Sequence, residues 1–155
     1  VKEELSQIKN YLSLQQLRLQ EKLEIVYDTD EEALSCYMPK ILLQPILENC
    51  FSHGFKDISH KLVISVTIKK EGRDISFTVA DNGRGMTKEQ IRDLFNSHAK
   101  KTNGLSAVGV PNVKERLELY YGTQGGMEYA SSGNGTEVTV FLPAIYDMPE
   151  EGRKN

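Results

Sequence analysis

The sequence Asp81-Asn82-Gly83-Arg84-Gly85-Met86 directly follows Ile75–Ala80, an apolar segment that predicts a strand. A carboxylate at the end of a strand, followed by two glycines, suits a flat polar ligand held against exposed backbone. The Asp81 carboxylate can accept a hydrogen bond from an exocyclic amine such as that of adenine. Gly83 and Gly85 can adopt backbone angles closed to other residues and let a ligand approach the main chain. Alone, the segment is equally typical of a tight acidic turn, so its meaning depends on the motifs around it.

The composition is that of one globular domain. The chain has 155 residues, 39% of them hydrophobic and 26% charged, which suffices to bury a core. A net charge of −3 argues against nucleic-acid binding, because binding to phosphate backbones requires a concentrated basic surface. Cys36 and Cys50 lie beside apolar, helical sequence, which favours two reduced core thiols in a cytosolic compartment. We see no apolar run of membrane-spanning length and no signal peptide, and a start at Val1 inside a helical pattern suggests a piece of a longer protein.

An apolar stripe runs through the first 23 residues and predicts an amphipathic helix. Its members recur at steps of mostly three or four residues: Val1, Leu5, Ile8, Leu12, Leu19 and Leu23. The helix either docks on its own domain or ends a dimerisation or signalling helix, and both interpretations stay open. We assign residues 1–22 to this linker helix, residues 23–146 to the main domain and residues 147–155 to a charged, flexible tail.

The remaining patterns predict strands interleaved with helices and therefore a mixed sheet. The predicted strands are Leu23–Asp28, the hairpin Leu62–Lys70 with Asp74–Ala80, and the hairpin Gly126–Ser131 with Thr136–Leu142. The predicted helices are Lys40–His53, Thr87–Phe95 and Val110–Tyr121. The second of them is expected to begin with a capping box, with Thr87 as N-cap and Gln90 three residues later. Pro39 is expected at the first helical position, although Pro45 would kink that helix or move its start to Gln44. Thr29–Leu34 is expected to be an acidic loop or turn, and Asn96–Ala107 a mobile loop.

Polar residues near the end of the Lys40–His53 helix could form a site. Asn49 and His53 are four residues apart and share one helix face, whereas Glu48 is turned about a quarter of the circumference away. An amide oxygen near phosphates is a plausible ligand for Mg²⁺, and His53 could contact a phosphate. A polar helix end with a histidine favoured by the helix dipole is an equally simple interpretation.

Two glycine-containing segments have a functional and a local interpretation. Gly109 opens a predicted helix and could present free N–H groups to a phosphate, or it could simply cap that helix. Gly133-Asn134-Gly135 reads as a hairpin turn, and the adjacent Thr136 could hydrogen-bond the Asp81 carboxylate. The sequence contains no catalytic triad motif, no phosphate-binding P-loop and no zinc-ligand spacing.

Together and in this order, these segments resemble the gyrase, Hsp90, histidine kinase and MutL ATP-binding superfamily. The matching segments are Leu43–Gly54, Asp81–Met86, Val108–Leu117 and Gly133–Thr136. They are most similar to the catalytic and ATP-binding domain of bacterial sensor histidine kinases of the LytS/YesM-like type. The resemblance implies a Bergerat-type, two-layer α/β sandwich: a mixed, mostly antiparallel sheet packed on helices, with a flexible ATP lid and an N-terminal linker helix.

The resemblance also implies roles for individual residues. Asn49 would be catalytic and ligate Mg²⁺ near the phosphates. Glu48 would polarise the attacking imidazole or a water, or it would only orient a neighbouring group. Asp81 would bind the adenine amine, supported by Thr136 through a water. The implied ATP-binding set comprises ten residues: Asn49, His53, Gly54, Asp81, Gly83, Gly85, Met86, Gly109, Asn112 and Thr136.

The function implied is that of a two-component sensor histidine kinase, a transferase that uses ATP and Mg²⁺. Its γ-phosphoryl acceptor would be a histidine of an upstream domain outside this chain, and a response regulator would receive the phosphoryl group. The parent protein would be a homodimer in the cell membrane, with this domain in the cytoplasm.

Three alternatives stay open. Ala107 stands where the resembled family has a glycine, which motivates a nucleotide-binding or non-catalytic scaffold module. A related superfamily ATPase would need a helix carboxylate one turn before Asn49, where this chain has Pro45. An anti-sigma serine kinase would not need the helix at the start of the chain.

Overall fold

A five-stranded mixed sheet organises the molecule. The computed structural model describes residues 1–55, 59–96 and 109–146. The strands are β1 (Leu23–Thr29), β2 (Leu62–Glu71), β3 (Asp74–Asp81), β4 (Gly126–Ser132) and β5 (Gly135–Pro143). They lie in the order β1-β2-β3-β5-β4, with β1 parallel to β2 and every other pair antiparallel. The predicted mixed, mostly antiparallel sheet and both predicted hairpins are confirmed.

One face of the sheet is buried and the other is polar, as strict alternation along the strands requires. The buried face is lined by aliphatic side chains and one phenylalanine: Leu62, Ile64, Val66, Ile68, Ile75, Phe77, Val79, Val138, Val140 and Leu142. The opposite face carries hydroxyl side chains, and the Oγ1 atoms of Thr78 and Thr139 lie 3.0 Å apart across β3 and β5. The helices therefore cover a single face, which makes the fold a two-layer sandwich.

Five helices accompany the sheet in the described part of the chain. They are α1 (Lys2–Leu19), α2 (Glu31–Leu34), α3 (Gln44–Asn49), α4 (Lys88–Asn96) and α5 (Gly109–Tyr121). Short 3₁₀ turns at Gln20–Lys22 and Gly122–Gln124 follow α1 and α5, and a π-helical turn at Cys50–Gly54 extends α3. α1, α3 and α5 contribute buried aliphatic residues to the core that covers the sheet.

α1 docks on its own domain. Leu5, Ile8 and Leu12 are buried in the common core, whereas Leu14 and Leu17 on the opposite side are 66% and 76% exposed. The amphipathic stripe predicted from the sequence is therefore the docking face of α1 for its first three turns. α1 and the sheet share one hydrophobic core, so packed side chains connect the position of α1 to the rest of the domain.

The helix predicted at Lys40–His53 is wrong at its start. α3 begins at Gln44 with Pro45 in its first turn, and Pro39 does not open a helix. The proline ring fits only the first helical turn, because deeper in the helix it would clash with the preceding turn. The alternative start at Gln44 is confirmed. Ile41 in the preceding loop has a φ of 56°, which is incompatible with a right-handed helix.

Three other local predictions have clear outcomes. Glu31–Leu34 is a short helix rather than a loop or turn, with two acidic residues in its first turn where the helix dipole favours them. The helix α4 carries the predicted capping box, because the Thr87 N–H donates to Gln90 Oε1 (2.9 Å) and the Gln90 N–H to Thr87 Oγ1 (3.2 Å). Cys36 and Cys50 are buried and unpaired, as predicted.

Some predictions lie outside the described residues. Most of the Asn96–Ala107 loop falls in the gap at 97–108, and the tail at 147–155 lies beyond the last described residue. None of the helices in the described ranges has the length and hydropathy that crossing a membrane requires.

The docking of α1 can be tested with two identical substitutions on one helix. Leu12→Ala removes a fully buried side chain and should lower the free energy of unfolding by about 2–5 kcal/mol. Leu17→Ala removes an exposed side chain and should change it by no more than about 0.5 kcal/mol. Urea unfolding of both variants measures the difference, and equal losses would contradict the docked helix.

Candidate functional site

Asp81 ends β3 in the middle of the sheet. It pairs with Ile64 of β2 on one side and with Thr136 of β5 on the other. Its carboxylate accepts a hydrogen bond from the Gly83 N–H at 2.8 Å, which closes the turn that follows the strand. Three strands thus fix the position of this carboxylate, and the glycine turn fixes its orientation.

Burial dominates the electrostatics of Asp81. Desolvation raises the pKa of its carboxyl group above the ordinary value of 3.8, and hydrogen bonds from Gly83, Cys50 and Thr136 offset part of this rise. The Asp81 carboxylate can still accept a further hydrogen bond beyond those from Gly83, Cys50 and Thr136. It can accept a hydrogen bond from a ligand that enters the same space.

A cleft lies between α3 and the buried face of the sheet, with Asp81 and Asn49 in its wall. Its lining combines these two polar side chains with apolar and aromatic neighbours: Ile46, Cys50, Val79, Met86, Tyr129, Thr136 and Val138. Asn49 is only 7% exposed, and its Nδ2 has no hydrogen-bond partner within the described part of the chain. An unpartnered buried amide is costly, so it marks a place where a ligand would satisfy the protein.

Ser131 connects the glycine turn to the last hairpin. Its Oγ accepts a hydrogen bond from the Met86 N–H (2.8 Å) and lies 3.0 Å from the Gly135 carbonyl oxygen and 2.8 Å from Thr136 Oγ1. The Thr136 hydroxyl therefore pairs with Ser131, while its backbone contributes the hydrogen bond to Asp81. Among the described contacts the Thr136 side chain is thus bonded to Ser131 and not directly to Asp81, and its support of Asp81 through a water stays a prediction.

Gly85 permits the closest backbone approach in the site. Its φ is +67°, and a Cβ atom there would lie 1.5 Å from the Ser132 carbonyl oxygen. The turn after Asp81 therefore packs directly on the β4–β5 turn, which only glycine allows. Gly85 shapes the site by letting two turns cross.

Gly109 has a packing role at the start of α5. A Cβ atom on Gly109 would lie 2.9 Å from Pro45 Cβ, so the missing side chain lets α5 approach the first turn of α3. This contact holds the two helices together at the end nearest the undescribed segment 97–108.

The structure gathers some of the predicted residues and separates others. Asn49, Asp81, Met86 and Thr136 line one cleft. Glu48 is exposed and accepts a hydrogen bond from Gln44 Nε2 at 2.9 Å, so it faces solvent rather than the cleft.

Among the other described residues of the predicted set, Gly83, Gly85, Gly109 and Asn112 lie outside that lining. Asn112 is half-buried on α5. The backbones of His53 and Gly54 lie in the π-helical turn, and their side-chain environments are outside what the structure describes.

Sequence reasoning missed Cys50, Tyr129 and Ser131 as lining or bracing residues. Tyr129 packs edge-on against Phe95 with ring centroids 5.7 Å apart, and burial raises its pKa above 10.0. The available signal was the hairpin register, because Ser131 pairs with Thr136 across β4 and β5. Cys50 follows Asn49 directly, but its type alone indicated only a core thiol.

Comparison with known proteins gives one consistent family. The family model described as "Histidine kinase-, DNA gyrase B-, and HSP90-like ATPase" matches residues 39–145. The chain is 33% identical over 143 residues to sensor histidine kinase YpdA of Escherichia coli (strain K12), covering 92% of this chain and 24% of that protein. It is 27% identical over 144 residues to sensor histidine kinase YesM of Bacillus subtilis (strain 168), covering 92% and 23%. The chain thus spans about a quarter of the length of these curated relatives.

Solved structures confirm the fold class. The catalytic domain of histidine kinase ThkA, in a nucleotide-free form, matches with a TM-score of 0.68 at 17% identity, covering 92% of this chain and 95% of that chain. The histidine kinase domain of the Erythrobacter litoralis EL346 blue-light activated histidine kinase matches with a TM-score of 0.59 at 18% identity, covering 85% and 56%. At these identities the likeness shows the arrangement of sheet and helices.

The crossing of the two turns can be tested at matched glycines. Gly85→Ala should lower the free energy of unfolding by about 3 kcal/mol or more, because its Cβ would enter the Ser132 carbonyl. Gly72→Ala has a similar φ of +63° but open space around it, so it should cost only about 1 kcal/mol of backbone strain. Urea unfolding measures both, and equal costs would contradict the close approach.

Proposed function

Because the chain belongs to the histidine kinase-, DNA gyrase B- and HSP90-like ATPase family, we propose that it is the ATP-binding catalytic domain of a two-component sensor histidine kinase. In this role the bond between the γ-phosphorus and the β,γ-bridging oxygen breaks, and a bond from that phosphorus to a histidine nitrogen forms. The histidine belongs to an upstream domain of the same protein, and ADP leaves with the bridging oxygen. A response regulator then receives the phosphoryl group.

The observation that carries the proposal is the pairing of a half-buried carboxylate and an unpartnered buried amide in one apolar cleft. Asp81 is placed to accept a hydrogen bond from the adenine amine, and the apolar walls suit a purine ring. Asn49 lies across the cleft on α3, where it suits the phosphate end of the nucleotide. Gly83, Gly85 and Met86 shape the backbone beside the purine.

The remaining predicted ligands would act nearer the phosphates. His53, Gly54, Gly109 and Asn112 belong to the turn after α3 or to α5, and we propose that they surround the polyphosphate. Glu48 is exposed beside Asn49 on α3, so its proposed role is to polarise the imidazole of an acceptor domain that docks there.

The residues fit a magnesium ion that is bound together with the nucleotide. The side-chain oxygen of Asn49 is a ligand type that a hard cation accepts, while its unpartnered Nδ2 is a donor that suits a phosphate oxygen. No group of three His, Cys, Asp or Glu side chains in the described ranges could hold a metal ion, so binding would depend on the phosphates. When bound, Mg²⁺ neutralises charge on the phosphate oxygens.

Transfer to a protein acceptor is favoured over hydrolysis. Pro45 occupies the first turn of α3, about one turn before Asn49, and it has no carboxylate to activate a water. The chain's own residues therefore bind and orient the nucleotide, and the nucleophile comes from outside. We further propose that the parent protein is a membrane-anchored homodimer with this domain on the cytoplasmic side.

Phosphorylation of the full-length parent protein tests the proposed reaction. With labelled ATP and Mg²⁺ it should incorporate acid-labile phosphate on a histidine, and Asn49→Ala should reduce that incorporation strongly. A parent protein that binds ATP without incorporating phosphate would instead identify a nucleotide-binding scaffold module.

Asp81→Asn tests the adenine contact in this chain alone. Asn Oδ1 can still accept from the Gly83 N–H, but its NH₂ group would then face the adenine amine as a second donor. ADP affinity should fall about 100-fold, the size expected for losing a buried charged hydrogen bond. Asp74→Asn, an exposed change at the start of the same strand, should leave affinity unchanged in calorimetric titration.

The stability of the Asp81→Asn variant provides the control. Because burial raises the pKa of Asp81, the fold is favoured below the ordinary pKa and loses stability as pH rises through the folded value. Asparagine removes that loss, so the variant should be at least as stable as the wild type at neutral pH. Unchanged ADP affinity would contradict the adenine assignment.

A further inference from the structure

A buried glutamate in α1 holds the loop that leads into α3. Glu4 is only 4% exposed, and its carboxylate accepts hydrogen bonds from three consecutive backbone N–H groups. The Ile41 N–H donates to Oε2 at 2.7 Å, and the N–H groups of Leu42 and Leu43 both donate to Oε1 at 2.8 Å. Charge-assisted bonds of this kind are about twice as strong as neutral ones.

Arg116 of α5 binds carbonyl groups of the same loop. Its Nη1 donates to the Ile41 carbonyl oxygen at 2.5 Å, and its Nη2 donates to the Lys40 carbonyl oxygen at 2.6 Å. Within the segment 40–43, Glu4 thus satisfies the N–H groups of residues 41–43, and Arg116 satisfies the carbonyl groups of residues 40 and 41. We call this arrangement the Glu4–Arg116 clamp.

The clamp enforces a backbone conformation that the loop would not adopt alone. Ile41 has a φ of 56°, which is rare for a β-branched residue and persists only where the surroundings determine it. In this conformation successive N–H groups converge, as they do in anion-binding backbone nests. Here the anion is the side chain of another helix of the same domain.

The loop continues without a break into the helix that carries Asn49. The Leu43 carbonyl accepts from the N–H groups of Ile46 (3.0 Å) and Leu47 (3.3 Å), so the clamped loop forms the first turn of α3. α3 spans only six residues, and Asn49 is the last of them. A displacement of the loop is therefore passed directly to the Asn49 amide.

Asp81 is held differently. Its position follows mainly from the pairing of β3 with β2 and β5. It also receives a hydrogen bond from Cys50, the residue after Asn49, so the two ends of the cleft are linked at that point. Because strand pairing does not depend on the clamp, loss of the clamp should disturb the Asn49 end more than the Asp81 end.

We propose that Glu4 is a positioning residue for the phosphate end of the nucleotide site, and that through Glu4 the docking of α1 controls the affinity for Mg²⁺-bound polyphosphate. The proposal rests on the nucleotide-binding function proposed above. Undocking of α1 withdraws the carboxylate, releases the N–H groups of residues 41–43 and moves Asn49 away from its binding position. The adenine contact is affected less, because the strand pairing of Asp81 is kept, so the site loses affinity mainly toward phosphates.

Glu4→Gln in this 155-residue chain tests the proposal with little change in shape. The amide oxygen can replace one carboxylate oxygen, but the NH₂ group would oppose a backbone N–H donor. The affinity for Mg²⁺·ADP should fall about tenfold, whereas adenosine affinity, measured by NMR titration, should stay within about twofold. Glu3→Gln is the matched control, because Glu3 is exposed and makes only a surface ion pair with Lys40 at 3.1 Å.

Arg116→Gln provides a second variant on the opposite side of the clamp. It removes the paired donors at a half-buried surface position and should produce the same selective loss. Because both variants release one loop, the double variant should lose less than the product of the two single effects. Amide hydrogen exchange should show faster exchange at residues 41–43 in Glu4→Gln, with no change at residues 62–81.

The outcomes separate this inference from the proposed function. If Glu4→Gln weakened the binding of Mg²⁺·ADP and of adenosine equally, Glu4 would have only a structural role, and the inference would be overturned. Unchanged Mg²⁺·ADP affinity would overturn it as well. In both cases the wild-type chain still binds nucleotide; a wild-type chain that binds neither ligand would overturn the proposed function itself, and the inference with it.

Discussion

The pairing of β3 with β5 is the constraint on which the candidate site depends. It sets Asp81 beside Thr136, and the crossing of the turn after Asp81 with the turn before Thr136 requires the glycines at 85 and 135. Ser131 then joins these turns by hydrogen bonds. A slip of one residue would turn Asp81 to the opposite face of the sheet and remove it from the cleft. The register of this strand pair is therefore a functional feature as well as a structural one.

The position of Asp81 also carries a cost. Its carboxylate is desolvated, and its hydrogen bonds compensate for this only in part. Asn49 also carries a cost, because its buried amide nitrogen has no hydrogen-bond partner among the described residues. Two uncompensated polar groups on one cleft are expected where a ligand, rather than the protein, completes the hydrogen bonding.

Local sequence was sufficient to predict the strands, both hairpins and the capping box at Thr87, because each follows from neighbouring residues. It placed Asp81 and Asn49 in one site only through resemblance to a family. It failed at residues 40–43, where an apolar, helix-compatible run is held in another conformation by Glu4, about 40 residues away along the chain. It also missed Ser131 and Tyr129, since their role depends on which strand lies beside β4.

These failures concern the contacts that join separate elements. A sheet register holds one end of the cleft, while a six-residue helix, braced by α1 and α5, holds the other. The first support is cooperative and rigid, because each strand is paired along its length. The second depends on two side chains acting on one loop, so a small movement of either helix can alter it. A domain with this division can keep the Asp81 end of its cleft formed while the position of α3 changes with the docking of α1.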